Sequence, residues 1–114
     1  MMLDWKAYAG QVGAALVDFA KLAPEAMAGF RALNKGAHAT THLDAKTREL
    51  IAIAVAVTTR CDGCINAHVD AAIKAGASKA EVAETLGVAI ALNAGAAVAY
   101  SARVMDAWDA RSQP

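Results

Sequence analysis

The sequence predicts an all-α protein, a compact bundle of about six helices. Three observations carry that expectation. Apolar residues recur at spacings of three and four, the period of one helix face. Residues that cap or stop helices punctuate the chain at helical intervals, while the alternation of a half-buried strand is scarce. Alanine, the strongest intrinsic helix former, supplies 31 of the 114 residues.

Asp4 is placed to N-cap a first helix running to about Ala20, with Trp5, Tyr8, Val12, Leu16 and Phe19 along one stripe. Pro24 suits the first turn of a second helix, from Pro24 to about Leu33, which Asn34 and Gly36 end. Residues Lys35 to Leu43 read as a loop. Asp44 caps a third helix, Ala45 to about Thr58, that is apolar on most sides through Leu50, Ile51, Ala54, Val55 and Val57. Its β-branched run, Ile51 to Val57, could form a strand, but it continues from Lys46 to Leu50 and has no strand partner nearby. Thr58-Thr59-Arg60 weakens helix just before the cysteines. A fourth helix starts near Asp62 and runs to Ala75, with Gly76 as the residue that turns the chain out of it. Ser78 and Glu81 form the Ser-x-x-Glu capping box of a fifth helix ending near Leu92. Asn93 and Gly95 interrupt. A sixth helix spans about Ala96 to Ala110, and the tail Arg111 to Pro114 frays.

The length fits one domain, residues 1–114. Eleven basic and eleven acidic residues give zero formal charge, so neither nucleic acid nor an anionic membrane is an expected partner. Met1 to Lys6 has no signal-peptide pattern. The longest strongly apolar run, Leu50 to Val57, is far shorter than the ~20 residues of a membrane helix. These features place the chain in the cytoplasm. Hydrophobic residues make up 57% of it, but once alanine is set aside only 34 are large. So few bulky side chains make a modest core, and burial between subunits is the expected supplement.

Both cysteines sit in Cys61-Asp62-Gly63-Cys64. In a cytoplasmic chain a close pair is redox-active or metal-binding more often than structural. On one helix Cys61, Cys64 and His68 fall within an arc of about 60°. Cys61 and Cys64 are spaced for a reversible disulfide, and His68 lies one turn beyond Cys64. A helix N-terminus and an imidazole are the two sources that stabilise a thiolate here. Zinc competes, because the same three residues are soft ligands that His38 or His42 could complete. Ligands spread over two helical turns converge poorly on a ~2.3 Å sphere, however. Glu49 precedes Cys61 by twelve residues, ~18 Å along a continuous helix. It meets His68 only if the chain reverses at Thr58-Thr59-Arg60, and composition alone does not select it over Glu25, Glu81 or Glu84. His38 and His42 flank a loop and read as solvated, or as lining the mouth of a site in the oligomer. Trp5, Tyr100 and Trp108 read as core or interface aromatics. Gly10 and Gly13 lie inside a helical pattern, so no phosphate loop or nucleotide cofactor is implied.

Three segments together, Leu43 to Ala52, Cys61 to His68, and Gly76-Ala77-Ser78 with Glu81 and Glu84, resemble the carboxymuconolactone decarboxylase superfamily, and within it the alkylhydroperoxidase AhpD-like branch. The signature is a glutamate, a Cys-x-x-Cys twelve residues on, and a histidine four residues after the second cysteine. The resemblance covers about Leu43 to Tyr100. It implies an all-α homo-oligomer, commonly a trimer or a hexamer; with no phosphate loop and poorly converging zinc ligands, neither a cofactor nor a metal is expected. It implies a peroxidase that reduces hydroperoxides at the expense of a dithiol protein or small thiol. Catalytic residues would be Glu49, Cys61, Cys64 and His68: a proton relay from Glu49 through His68, attack by Cys64 and resolution by Cys61. One departure is Gly63, where the best-studied branch has a histidine. The decarboxylase branch proper lacks the cysteine pair, so lactone decarboxylation is the weaker alternative. A zinc-binding or redox-sensing helical oligomer is the non-enzymatic one.

Overall fold

A computed structural model describes residues 2–114. All of the regular structure among them is helical, in five elements: α1 (Trp5–Leu22), α2 (Pro24–His38), α3 (Ala45–Thr59), α4 (Asp62–Lys74) and α5 (Lys79–Ser112). The all-α expectation holds, with five helices in place of about six.

The caps read from the sequence are in place. The Asp4 carboxylate accepts from the Ala7 amide at 3.1 Å and that of Asp44 from Thr47 at 2.8 Å. Ser78 and Glu81 form a complete capping box at the start of α5. Gly76, at φ 87°, ends α4 in a Schellman turn: the Ala77 amide donates to Ala72 O and that of Gly76 to Ile73 O.

Two expected breaks are absent. α2 runs through Asn34 and Gly36 to His38, so the loop is shorter than Lys35 to Leu43. α5 runs through Asn93 and Gly95, merging the fifth and sixth helices into one of 34 residues that reaches Ser112 in the tail. Asn93 does not stop it because its amide points elsewhere: Nδ2 donates to Ala89 O and to Thr58 Oγ1 on α3, each at 2.8 Å. Gly95 costs ~1 kcal/mol of helix propensity, which the flanking alanines absorb.

The packed body is α3 against α4 and against the first part of α5. Every buried residue, Glu49, Ile53, Ala56, Ala72 and Ala89, belongs to it. α1 lies on α4, and α2 touches chiefly α1. From Ile90 onward α5 is exposed to its end. The radius of gyration is accordingly 18.9 Å, against about 13 Å for a globule of this length. α5 is also long and apolar enough, by length and composition, to cross a membrane, with 6% of that window buried. Counting strongly apolar runs overlooks it because its hydropathy is spread over alanines.

Candidate active site

The reversal between α3 and α4 builds the site. Arg60 takes the left-handed conformation, φ 56°, and the Cys61 amide donates to Ala56 O at 3.1 Å. That turn folds α4 back along α3 within three residues. Glu49, near the start of α3, then stands beside His68 on the second turn of α4.

The Glu49 side chain is 4% exposed. A carboxylate taken out of water needs compensating donors. Its Oε2 lies 2.6 Å from Nδ1 of His68. Around Oε1 stand Nε of Arg48 at 3.5 Å and Nε2 of His38 at 3.9 Å. Arg48 Nε is buried without an aligned acceptor, so its contact with Glu49 is an ion pair rather than a hydrogen bond. The same guanidinium donates through Nη1 to Thr40 Oγ1 at 3.1 Å and to His38 O at 3.4 Å. It thereby ties the end of α2 and its loop to α3. Because a carboxylate only accepts, the bond to Glu49 places the neutral ring's proton on Nδ1 and leaves the Nε2 lone pair free as a base.

Cys61 is the N-cap residue of α4, and its Sγ accepts from the Cys64 amide at 3.1 Å. The two cysteines are joined in a disulfide, with Cα atoms 5.2 Å apart. Both are half-buried. An N-cap sulfur lies at the positive end of the helix dipole, the position that best stabilises a thiolate. Gly63 sits beneath α1: a Cβ there would lie 3.9 Å from Cγ1 of Val12.

All four candidate residues, Glu49, Cys61, Cys64 and His68, open onto one cleft of ≈ 1030 Å³. Its far wall is α1 and α2, with Trp5, Tyr8, Val12, Leu16 and Phe30. Trp5, expected in a core or an interface, is a wall of the cleft. His38 also lines it, whereas His42 is exposed and outside. The place of His38 and Arg48 at Glu49 went unread in the sequence, since no spacing rule links the end of one helix to the start of the next. Among the described residues no group of three His, Cys, Asp or Glu side chains converges as metal ligands would.

Comparison with known proteins gives the same frame. The sequence model of the carboxymuconolactone decarboxylase family matches residues 24–107. A crystal structure of the apo form of a carboxymuconolactone decarboxylase family protein from Legionella pneumophila is similar over 96% of this chain and 97% of that one, with 36% identity and a TM-score of 0.72. An uncharacterized protein of Haemophilus influenzae is 50% identical over 72 residues, 63% of this chain. Uncharacterized protein 4 in the cox locus of Paracoccus denitrificans is 43% identical over 60 residues, 53% of this chain. The matched stretches span 64% and 54% of those two relatives' lengths.

Proposed function

This chain belongs to the carboxymuconolactone decarboxylase family, and we propose that within it the protein is an AhpD-like thiol peroxidase, cycling Cys61 and Cys64 between dithiol and disulfide. The observation that carries this reading is the buried Glu49–His68 pair, 2.6 Å long, opening onto the same cleft as the cysteine pair. A carboxylate-held imidazole one turn from a sulfur is the arrangement that makes and stabilises a thiolate.

In the proposed cycle Nε2 of His68 takes the Cys64 proton, with Glu49 holding the ring. The thiolate attacks the outer oxygen of a hydroperoxide. An S–O bond forms, the O–O bond breaks, and the departing alkoxide recovers the proton from His68 as an alcohol. Cys64 is now a sulfenic acid. The Cys61 thiolate, favoured at the helix N-terminus, attacks that sulfur, and hydroxide leaves with a proton as water. An external dithiol, protein-borne or small, reduces the disulfide and is itself oxidised. No cofactor enters, because the sulfurs carry both electrons. A cytoplasmic location fits, since its thiol pool returns the pair to the dithiol form.

The test is hydroperoxide consumption supported by dithiothreitol. The unsubstituted protein should turn over and Cys64→Ser should not. Cys61→Ser should complete one turnover and stop at a sulfenic acid on Cys64, trapped by a dimedone-type reagent. Absence of turnover in the unsubstituted protein defeats the reading. Labelling at Cys61 of the Cys64→Ser protein, with none at Cys64 of the mirror variant, reverses the two roles.

A further inference from the structure

The Glu49 carboxylate is hydrogen-bonded on one side only. Oε2 meets Nδ1 of His68 at 2.6 Å, but among the described residues no hydrogen bond reaches Oε1. A carboxylate this far out of water calls for donors on both oxygens. Arg48 is the nearest cation, and it is engaged elsewhere. Its Nη1 donates to Thr40 Oγ1 and to His38 O. Its Nε, 3.5 Å from Oε1, is not aligned with that oxygen. Arg48 thus braces the end of α2 against α3, and what the brace holds in place is His38.

His38 closes α2, and its own helix fixes the ring: Nδ1 lies 2.8 Å from Asn34 O. A carbonyl only accepts, so Nδ1 carries a proton. The other nitrogen, Nε2, faces Oε1 of Glu49 at 3.9 Å. In the neutral ring two lone pairs face each other across that gap. In the charged ring an N–H faces the carboxylate, and an approach of about 1 Å makes a charge-assisted hydrogen bond. The His38 side chain is 44% exposed, so packing alone does not account for a ring fixed at this place.

We infer that His38 is a positioning residue of the redox site: its charged ring donates from Nε2 to Oε1 of Glu49, and the carboxylate, held between two imidazoles, presents Oε2 to His68. The inference rests on the proposed redox role of Cys64 and His68, and adds to it a residue from a third helix. When Cys64 gives its proton to Nε2 of His68, a thiolate and an imidazolium form. With His38 charged, the charges along Cys64, His68, Glu49 and His38 alternate and sum to zero. With a neutral residue at position 38 they sum to minus one, and the thiolate forms at higher pH. Other ionisable groups surround the ring. Arg48 stands beside Glu49 on α3, Lys35 shares the last turn of α2, and Lys6 of α1 with Asp62 and Asp70 of α4 line the same cleft. Asp70 is bound by Lys74 at 2.7 Å, and among the described residues Glu49 is the one carboxylate at ion-pair distance from His38.

Ultraviolet absorbance of the Cys64 thiolate against pH, in a Cys61→Ser background, tests this without any peroxide. His38→Gln should raise the pH of half-ionisation by at least ~0.3, a twofold change in that equilibrium. His38→Arg, which keeps a cationic donor, should shift it by less than half as much. His42→Gln, exposed and outside the cleft, should leave it unchanged. In a Glu49→Gln background the His38→Gln shift should vanish, because His38 acts through that carboxylate. Circular dichroism checks that the variants stay helical. Should His38→Gln unfold, nitrogen-15 shifts of the ring in the unsubstituted protein decide, and the neutral form should be the Nδ1–H tautomer. An Nε2–H tautomer overturns the inference. So does an unmoved midpoint in His38→Gln, an equal shift in His38→Arg, or a shift that persists without Glu49. Absence of peroxide turnover with these shifts intact defeats the peroxidase reading and leaves the position of His38 standing.

Discussion

The α3–α4 hairpin and the second half of α5 are built from nearly the same residues, alanine with scattered valine, isoleucine and leucine, and they end up in opposite environments. In the hairpin Ile53 and Ala56 are 3% and 2% exposed. In the arm nothing is buried. The difference lies in the turn. Arg60 reverses the chain so that α4 returns along α3, and each helix buries the other's apolar face. Asn93 and Gly95 fail to reverse α5, so its apolar face continues into solvent. An apolar stripe says that a helix will be covered; the connection after it says whether its own chain does the covering. The chemistry-bearing residues sit in the self-covered part, which separates the site from the exposed apolar stripe of the free part.

That separation can be broken at several strengths. The largest effect should fall on the relay. Glu49→Gln and His68→Gln should each slow peroxide-dependent oxidation of the cysteine pair by roughly 10²-fold and alter its pH profile. Stopped-flow measurement on the pre-reduced protein reads this, and unchanged rates would separate the Glu49–His68 pair from the chemistry. Next is the hairpin core: Ile53→Ala should destabilise by about 2–4 kcal/mol in denaturant titration. A cost below 1 kcal/mol would mean that the hairpin is no better packed than the arm.

A smaller effect of opposite sign is expected at the turn. Arg60 is a non-glycine residue at φ 56°, a conformation that costs an L-residue on the order of 1 kcal/mol. Arg60→Gly should therefore raise stability by roughly 0.5–1 kcal/mol, seen as a higher denaturant midpoint. A lower midpoint would show that the Arg60 side chain contributes more than its backbone costs.

The smallest effect joins α3 to α5. Lys46 Nζ is 2.8 Å from Glu81 Oε2. That bond, followed by the amide and hydroxyl of Ser78, lowers the Glu81 carboxyl from 4.5 to about 2. A carboxyl lowered on folding contributes stability above its unfolded value and loses it as the pH falls towards the folded one. Here the window runs from pH 4.5 down to about 2. Both side chains are exposed to solvent, which keeps the effect small. Glu81→Gln preserves the capping box and should flatten the acid limb of the melting profile across that window. Coincident acid limbs for variant and parent would leave the ion pair without a role.

Much of this was legible in the order of residues. Local chemistry gave the helical class, the caps at Asp4, Asp44 and Ser78, and the turn at Gly76, because each is settled within one helical turn of chain. The shared face of Cys61, Cys64 and His68 follows from helix period alone. Glu49 could be singled out only by the family resemblance, for its distance from His68 depends on one left-handed residue that propensity does not mark. What only the tertiary structure decided is which residues surround the Glu49 carboxylate, His38 and Arg48 among them, that Trp5 walls a cleft, and that half of α5 has no cover within its own chain. Each is a contact between segments far apart in sequence. Such contacts depend on the directions in which helices leave their turns, and a helix continuing through Asn93 points its apolar stripe elsewhere than one that stops there.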